Sequence, residues 1–148
     1  MNRKTVIETL RRDVAGQCVA YKMREATRKL SRRYDEALKP AGIKGTQFSM
    51  LNVITLLEGM TLSELAEKMG LERTTLLRNL QPLERRGFIK LSEEGFRRAR
   101  TAEITDQGLA VLEDAIPLWQ GVQATLKSEI GAQAWSDISS SIDQFKDL

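Results

Sequence analysis

The 148 residues carry 23 Lys and Arg against 20 Asp and Glu, with no histidine and a single cysteine, Cys18. That excludes His-based triads, His-containing zinc sites, CxxC redox pairs and internal disulfides, and no glycines form a phosphate-cradling GxGxxG or P-loop pattern. No apolar run nears the ~20 residues of a membrane span and no signal-peptide pattern opens the chain, so it reads as one cytoplasmic, non-enzymatic domain needing no cofactor, metal or membrane.

Charge is segregated along the chain. Residues 1–40 hold eleven Lys/Arg against five Asp/Glu, residues 41–105 ten against eight, and residues 106–148 two against seven. A basic front and an acidic tail suggest a polyanionic partner on one face.

In chain order, residues 2–13 predict a short helix broken near Ala15-Gly16. From Gln17 to about Lys39, Val19, Met23, Ala26, Leu30, Tyr34 and Leu38 recur at steps of three or four, the apolar stripe of a long helix. Its other faces carry Lys22, Arg24, Arg28, Lys29, Arg32 and Arg33, interleaved with Glu25, Asp35 and Glu36 as a solvated surface, and Pro40-Ala41-Gly42 ends it. Thr46 to Glu58 predicts a more apolar helix through Phe48, Leu51, Val53, Ile54 and Leu57, closed by Gly59.

Thr61-Leu-Ser-Glu64 then matches a capping box, with Thr61 as N-cap and Glu64 reaching back. Leu62, Leu65, Ala66 and Met69 give the following short helix one buried face, and Gly70 stops it. Arg73 to about Arg86 predicts a second helix with Leu76, Leu80 and Leu83 inward, a bend at Asn79–Pro82 and Gly87 as its stop. Phe88–Leu91 and Arg100–Thr105 read as strands, with turn residues Ser92-Glu-Glu-Gly95 between them. A long helix runs from Thr105 toward Ser128 with a kink at Pro117, and Gly131 separates a last helix bearing Trp135, Ile138, Ile142 and Phe145. Trp119, Trp135 and Phe145 are expected at core and interface positions.

Two short helices joined by a tight glycine-containing turn, followed by an arginine-rich hairpin, make the pattern of a winged helix-turn-helix. The second helix suits the major groove of duplex DNA, and offers it Arg73, Thr74, Leu77, Arg78 and Gln81 on the face opposite the inward leucines, with Thr75 as a further candidate contact. Arg97, Arg98 and Arg100 crowd the tip and descending strand of the hairpin, where their mutual repulsion would be relieved by phosphates or the narrow minor groove. The competing reading makes these a solvated helix face and a basic loop paired with Glu93 or Glu94, each exposed pair contributing at most ~1 kcal/mol. A winged-helix module that binds an acidic protein partner is the second class of function.

Over nearly its whole length the sequence resembles the MarR family of bacterial transcriptional regulators. The resemblance is carried by TLSELAEKMGLERTTLLRNLQPLERRGFI (Thr61 to Ile89), RRAR (Arg97 to Arg100), ITDQG (Ile104 to Gly108), similar to the family's LT-x-x-G, and RRYDEALKPAGIKGTQFSML (Arg32 to Leu51). It implies a mainly α fold with a small β-hairpin wing. Residues 1–40 and 109–148 would supply dimerisation helices around a winged helix-turn-helix lobe at 41–108, in one continuous domain. It also implies a homodimer on palindromic double-stranded DNA, acting as a repressor released by a small-molecule effector, with aromatic anions as the expected class. Two departures stand out: Phe96 replaces the aspartate of the family's Asp-Arg-Arg wing, and Glu72 stands where a better N-cap is common. Cys18 and Tyr34 are the candidate effector or redox residues. Thiol-based redox sensing through Cys18 is an alternative, but no second cysteine exists within the subunit to resolve an oxidised sulfur, which favours an inert, partly buried thiol.

Overall fold

The structure, a computed structural model, describes residues 1–93 and 99–147 and divides into two compact units, Met1–Arg33 and Tyr34–Leu148. In the first unit, helix α1 (Arg3–Thr9) is capped by the Asn2 side chain, which accepts the Thr5 amide at 3.0 Å. It continues as a π-helical turn over Leu10–Val14, then breaks at Gly16, whose φ of +74° suits only glycine comfortably. Helix α2 (Val19–Leu38) follows, with an exposed Glu25–Lys29 ion pair of 3.0 Å on its polar surface. Cys18 lies just ahead of α2 and is exposed, which corrects the expected partly buried thiol. The residue precedes the amphipathic stripe, so no helical periodicity turns it inward.

The second unit is built on a core of aliphatic side chains. Leu38 at the end of α2 is fully buried, and a 3-10 turn over Lys39–Ala41 leads to Gly42 at φ +71°. Helix α3 (Gly45–Leu56) starts one residue earlier than the periodicity predicts, because the Asp35 carboxylate accepts the Gly45 amide at 2.8 Å and the Gln47 side chain accepts that of Lys44 at 3.0 Å. It buries Phe48, Met50, Leu51 and Ile54 and ends at Leu56, short of Glu58.

Helix α4 (Leu62–Lys68) has the predicted capping box. The Thr61 amide donates to Glu64 Oε2 at 2.7 Å, and the Glu64 amide donates to Thr61 Oγ1 at 3.2 Å. Helix α5 (Arg73–Arg85) follows two residues after Gly70 and runs through Pro82 as one helix, placing Leu76, Leu80 and Leu83 in the core. Strands β1 (Ile89–Leu91) and β2 (Ala102–Ile104) pair antiparallel, with Ile89 opposite Ile104 and Leu91 opposite Ala102.

Helix α6 (Asp106–Ile130) passes through Pro117 and is capped by Thr105. The Thr105 hydroxyl accepts the Gly108 amide at 3.0 Å and donates to the Gly87 carbonyl at 2.6 Å, while the Thr105 amide donates to Phe88 O at 3.0 Å. These bonds draw the first turn of α6 against the end of α5, so close that a Cβ on Gly108 would lie 2.1 Å from Phe88 O. Trp119 is half-buried and stacks on Phe48 with ring centroids 5.8 Å apart. Helix α7 (Ala132–Gln144) follows; Trp135 is half-buried, whereas Ile138, Ile142 and Phe145 are 45–48% exposed.

Candidate nucleic-acid interface

Helix α5 separates its faces by composition. Anchored by three buried leucines, it presents Arg73, Thr74, Arg78 and Gln81 to solvent. Thr74, Arg78 and Gln81 fall at i, i+4 and i+7, one stripe along the helix. Thr75 and Leu77 sit at its margins, both half-buried. Leu77 packs against the core cluster, which corrects its expected place opposite the inward leucines: it follows Leu76 by one residue and precedes Leu80 by three, a position on the seam. Glu72 occupies the N-cap position without a side-chain cap bond, as its length suggested.

The hairpin is attached to the helix-turn-helix by more than its two strands. Thr61 forms an isolated antiparallel bridge with Thr101, and the Leu62 amide donates to Arg100 O at 2.8 Å. The N-cap of α4 is thus bridged directly to the hairpin beside β2. Nothing in the local sequence signalled this, since the pairing joins residues forty positions apart (101 − 61). Of the wing residues singled out from the sequence, Arg100 is half-buried and its Nε donates to Ser92 O at 3.1 Å. Arg97 and Arg98, with Glu94, Gly95 and the family-departing Phe96, lie outside the described residues.

Arg86 was not singled out. Its Nη1 donates to Gly42 O at 2.8 Å and its guanidinium lies 4.4 Å from the Phe88 ring centroid, tying the end of α5 to the turn after α2. The sequence offered only a cation just before a helix-stopping glycine. Glu64 has its carboxyl held below the ordinary value, first by the Thr61 backbone N–H and then by the Thr61 hydroxyl. Tyr34 is half-buried, and loss of solvation pushes its phenol above the usual value. Among the described residues no helix is long and apolar enough to cross a membrane.

A buried-leucine helix with a polar, cationic outer stripe, beside an antiparallel hairpin that is bridged to the head of α4, is a winged helix-turn-helix. Comparisons with known proteins narrow the class. A MarR family model matches residues 41–99. The transcriptional regulator MosR of M. tuberculosis is 39% identical, with 90% of this chain and 98% of that one covered at a TM-score of 0.75. Its complex with DNA gives 40% identity, 88% and 97% coverage and the same TM-score. An HTH-type transcriptional regulator of Bacillus cereus is 26% identical over 121 residues, 82% of this chain and 81% of that protein. The repressor CouR bound to p-coumaroyl-CoA shares the fold at a TM-score of 0.78 and 21% identity, with 88% and 92% covered. The chain belongs to the MarR family of winged-helix transcriptional regulators, a family of regulators rather than enzymes.

Proposed function

We propose that this regulator is a repressor that binds palindromic duplex DNA as a homodimer and is released by a small aromatic, anionic ligand. The observation that carries the reading is the α5 stripe: Arg73, Thr74, Arg78 and Gln81 are exposed on a helix whose other side is locked into the core. A helix of this width enters the major groove, where arginine can grip guanine O6 and N7 with two bonds. Arg97 and Arg98 are assigned to phosphates or the minor groove beside it. Support comes from MosR, whose structure in complex with DNA is 40% identical to this chain.

Dimerisation is assigned to residues 1–40 and 109–148, flanking the DNA-binding lobe at 41–108. Exposed Ile138, Ile142 and Phe145 in the last helical segment, and exposed Ile7, Leu10 and Val14 near the start, are apolar surface of the kind a second copy covers. The net positive front and net negative tail of each chain favour the same pairing. Two DNA-binding lobes related by a twofold would read half-sites about 34–36 Å apart. Ligand release is supported by CouR, which binds p-coumaroyl-CoA, with Tyr34 the phenol assigned to the effector region. Cys18 has no second cysteine within its own subunit to close a disulfide, and the release signal assigned is a ligand.

Gel shifts of the purified protein with its own upstream region, at two salt concentrations, test the reading. Specific binding with a steep salt dependence is expected. Arg78→Ala should relax preference at one or two base pairs, whereas Arg97→Ala should weaken all sequences and reduce the slope of log K against log salt by about 0.9. No shift at low salt, with a stable protein complex recovered instead, would replace DNA by an acidic protein as the partner.

A further inference from the structure

We propose that Arg100 is a positioning residue: with Ser92 it locks the neck of the hairpin and sets the aim of the wing, and does not itself grip phosphate. The assignment rests on the reading that the hairpin meets DNA.

The case lies in how the ladder ends. In an antiparallel hydrogen-bonded pair the two residues exchange both amide-to-carbonyl bonds. Past Leu91 opposite Ala102, the next such pair is Ser92 with Thr101. Half of it is regular, the Ser92 amide donating to Thr101 O at 3.0 Å. The return bond is rerouted. The Thr101 amide donates instead to Ser92 Oγ at 2.8 Å, and the Ser92 carbonyl it leaves accepts Arg100 Nε at 3.1 Å. A side-chain oxygen and a guanidinium have replaced one backbone bond, and the Thr101 amide and the Ser92 carbonyl both keep a partner.

On the opposite edge, Arg100 O accepts the Leu62 amide at 2.8 Å beside the Thr61–Thr101 bridge. One residue therefore joins three segments: its side chain holds the outgoing strand at Ser92, and its backbone holds the returning strand to α4. An arginine serving as a phosphate contact would reach outward with its planar fork free. Arg100 is half-buried with Nε turned back into the hairpin. Glu93 and Ala99, the described residues on either side of Arg97 and Arg98 in sequence, each adjoin this junction, so it holds together the two described ends of the hairpin.

The probe is a fluorescent duplex selected from a random pool by the wild-type protein, with dissociation constants measured over a salt series for wild type, Arg97→Ala, Arg100→Gln, Ser92→Ala, Ser92→Thr and the Arg100→Gln/Ser92→Ala double variant. Arg97→Ala should lower the salt slope by about 0.9, the loss of one phosphate. Arg100→Gln should weaken binding about three- to tenfold with the slope unchanged, the scale of one or two hydrogen bonds. Ser92→Ala, which removes no charge, should cause a similar loss, Ser92→Thr should restore binding, and the double variant should be little worse than either single one. On a duplex trimmed of the flanks that meet the wing, the penalty of Arg100→Gln should vanish, which a general loss of folding would not produce.

A slope lowered by Arg100→Gln as it is by Arg97→Ala, with Ser92→Ala at wild-type affinity, would make Arg100 a phosphate contact and overturn the assignment. Wild-type affinity in both single variants would overturn it equally. Failure of the wild type to retain any duplex would refute the DNA reading, and this assignment with it.

Discussion

Replacing Gly108 with alanine sets two physical effects against each other. Gly108 is the third residue of α6, and helix propensity alone favours alanine there by up to about 1 kcal/mol. Packing opposes it. A Cβ at this site would lie 2.1 Å from Phe88 O, 2.8 Å from Ile104 Cγ1 and 3.0 Å from Phe88 C. Bringing the first contact to 3.0 Å needs a displacement of about 0.9 Å (3.0 − 2.1), and the obstacle is backbone, which no rotamer change can move aside. Overpacking costs about 1–3 kcal/mol, and the upper end applies to a backbone clash. Moving Phe88 O also strains the 3.0 Å bond it accepts from the Thr105 amide, worth roughly 1 kcal/mol more. The net expectation is a loss of about 2–3 kcal/mol, or roughly 5–10 °C in Tm for a chain of this size. Urea titration at fixed protein concentration measures it, the concentration being held because the proposed self-association would shift the midpoint. A Gly108→Ala midpoint equal to or above wild type would refute the packing argument.

Three other expectations follow from the same geometry. Because hydrogen bonds from Thr61 hold the Glu64 carboxyl below its ordinary value, its contribution is complete above the unfolded carboxylate range and fades as pH falls through its own lowered value; stability of Glu64→Gln measured from pH 7 down to 3 should therefore lie nearest to wild type at the acid end. Arg86→Ala should lose about 1 kcal/mol in urea titration, by removing the bond to Gly42 O and the stack on Phe88, and Arg86→Lys should recover part of it. Ile142→Asp places a charge on an exposed apolar residue of α7, so it should lower the sedimentation-determined dimer affinity at least tenfold while leaving the monomer folded; an unchanged dimer would exclude that face from the interface.

The parts legible from sequence are those whose signals are local. The helix-turn-helix could be read because Leu62, Leu65 and Ala66, then Leu76, Leu80 and Leu83, recur at helical spacing and all enter the core. Thr61 and Glu64 mark a boundary through a bond spanning three residues. What escaped depends on contacts between distant segments. A bridge from Thr61 to Thr101 ties the head of a helix to the hairpin, and Arg86 finds its partner 44 positions away at Gly42. Leu77 shows the limit of face assignment: adjacent to Leu76, it could fall on either side of the boundary, and the neighbouring core decided. For Arg100, sequence counts a charge in a basic loop but cannot show that Nε turns back to Ser92 O. Ile138 and Ile142 posed the reverse problem, since apolar periodicity is the same whether the surface is covered from within the chain or left open.

Leu62 supplies the first amide of α4, and a helix cannot satisfy the amides of its own opening turn. Here that hydrogen is engaged by Arg100 O, on the far side of the hairpin sequence. Its protection from exchange with deuterium therefore depends on the bond to Arg100 O and not on a bond within the helix it opens. A single backbone proton thus reports on the contact between α4 and the segment around Arg100.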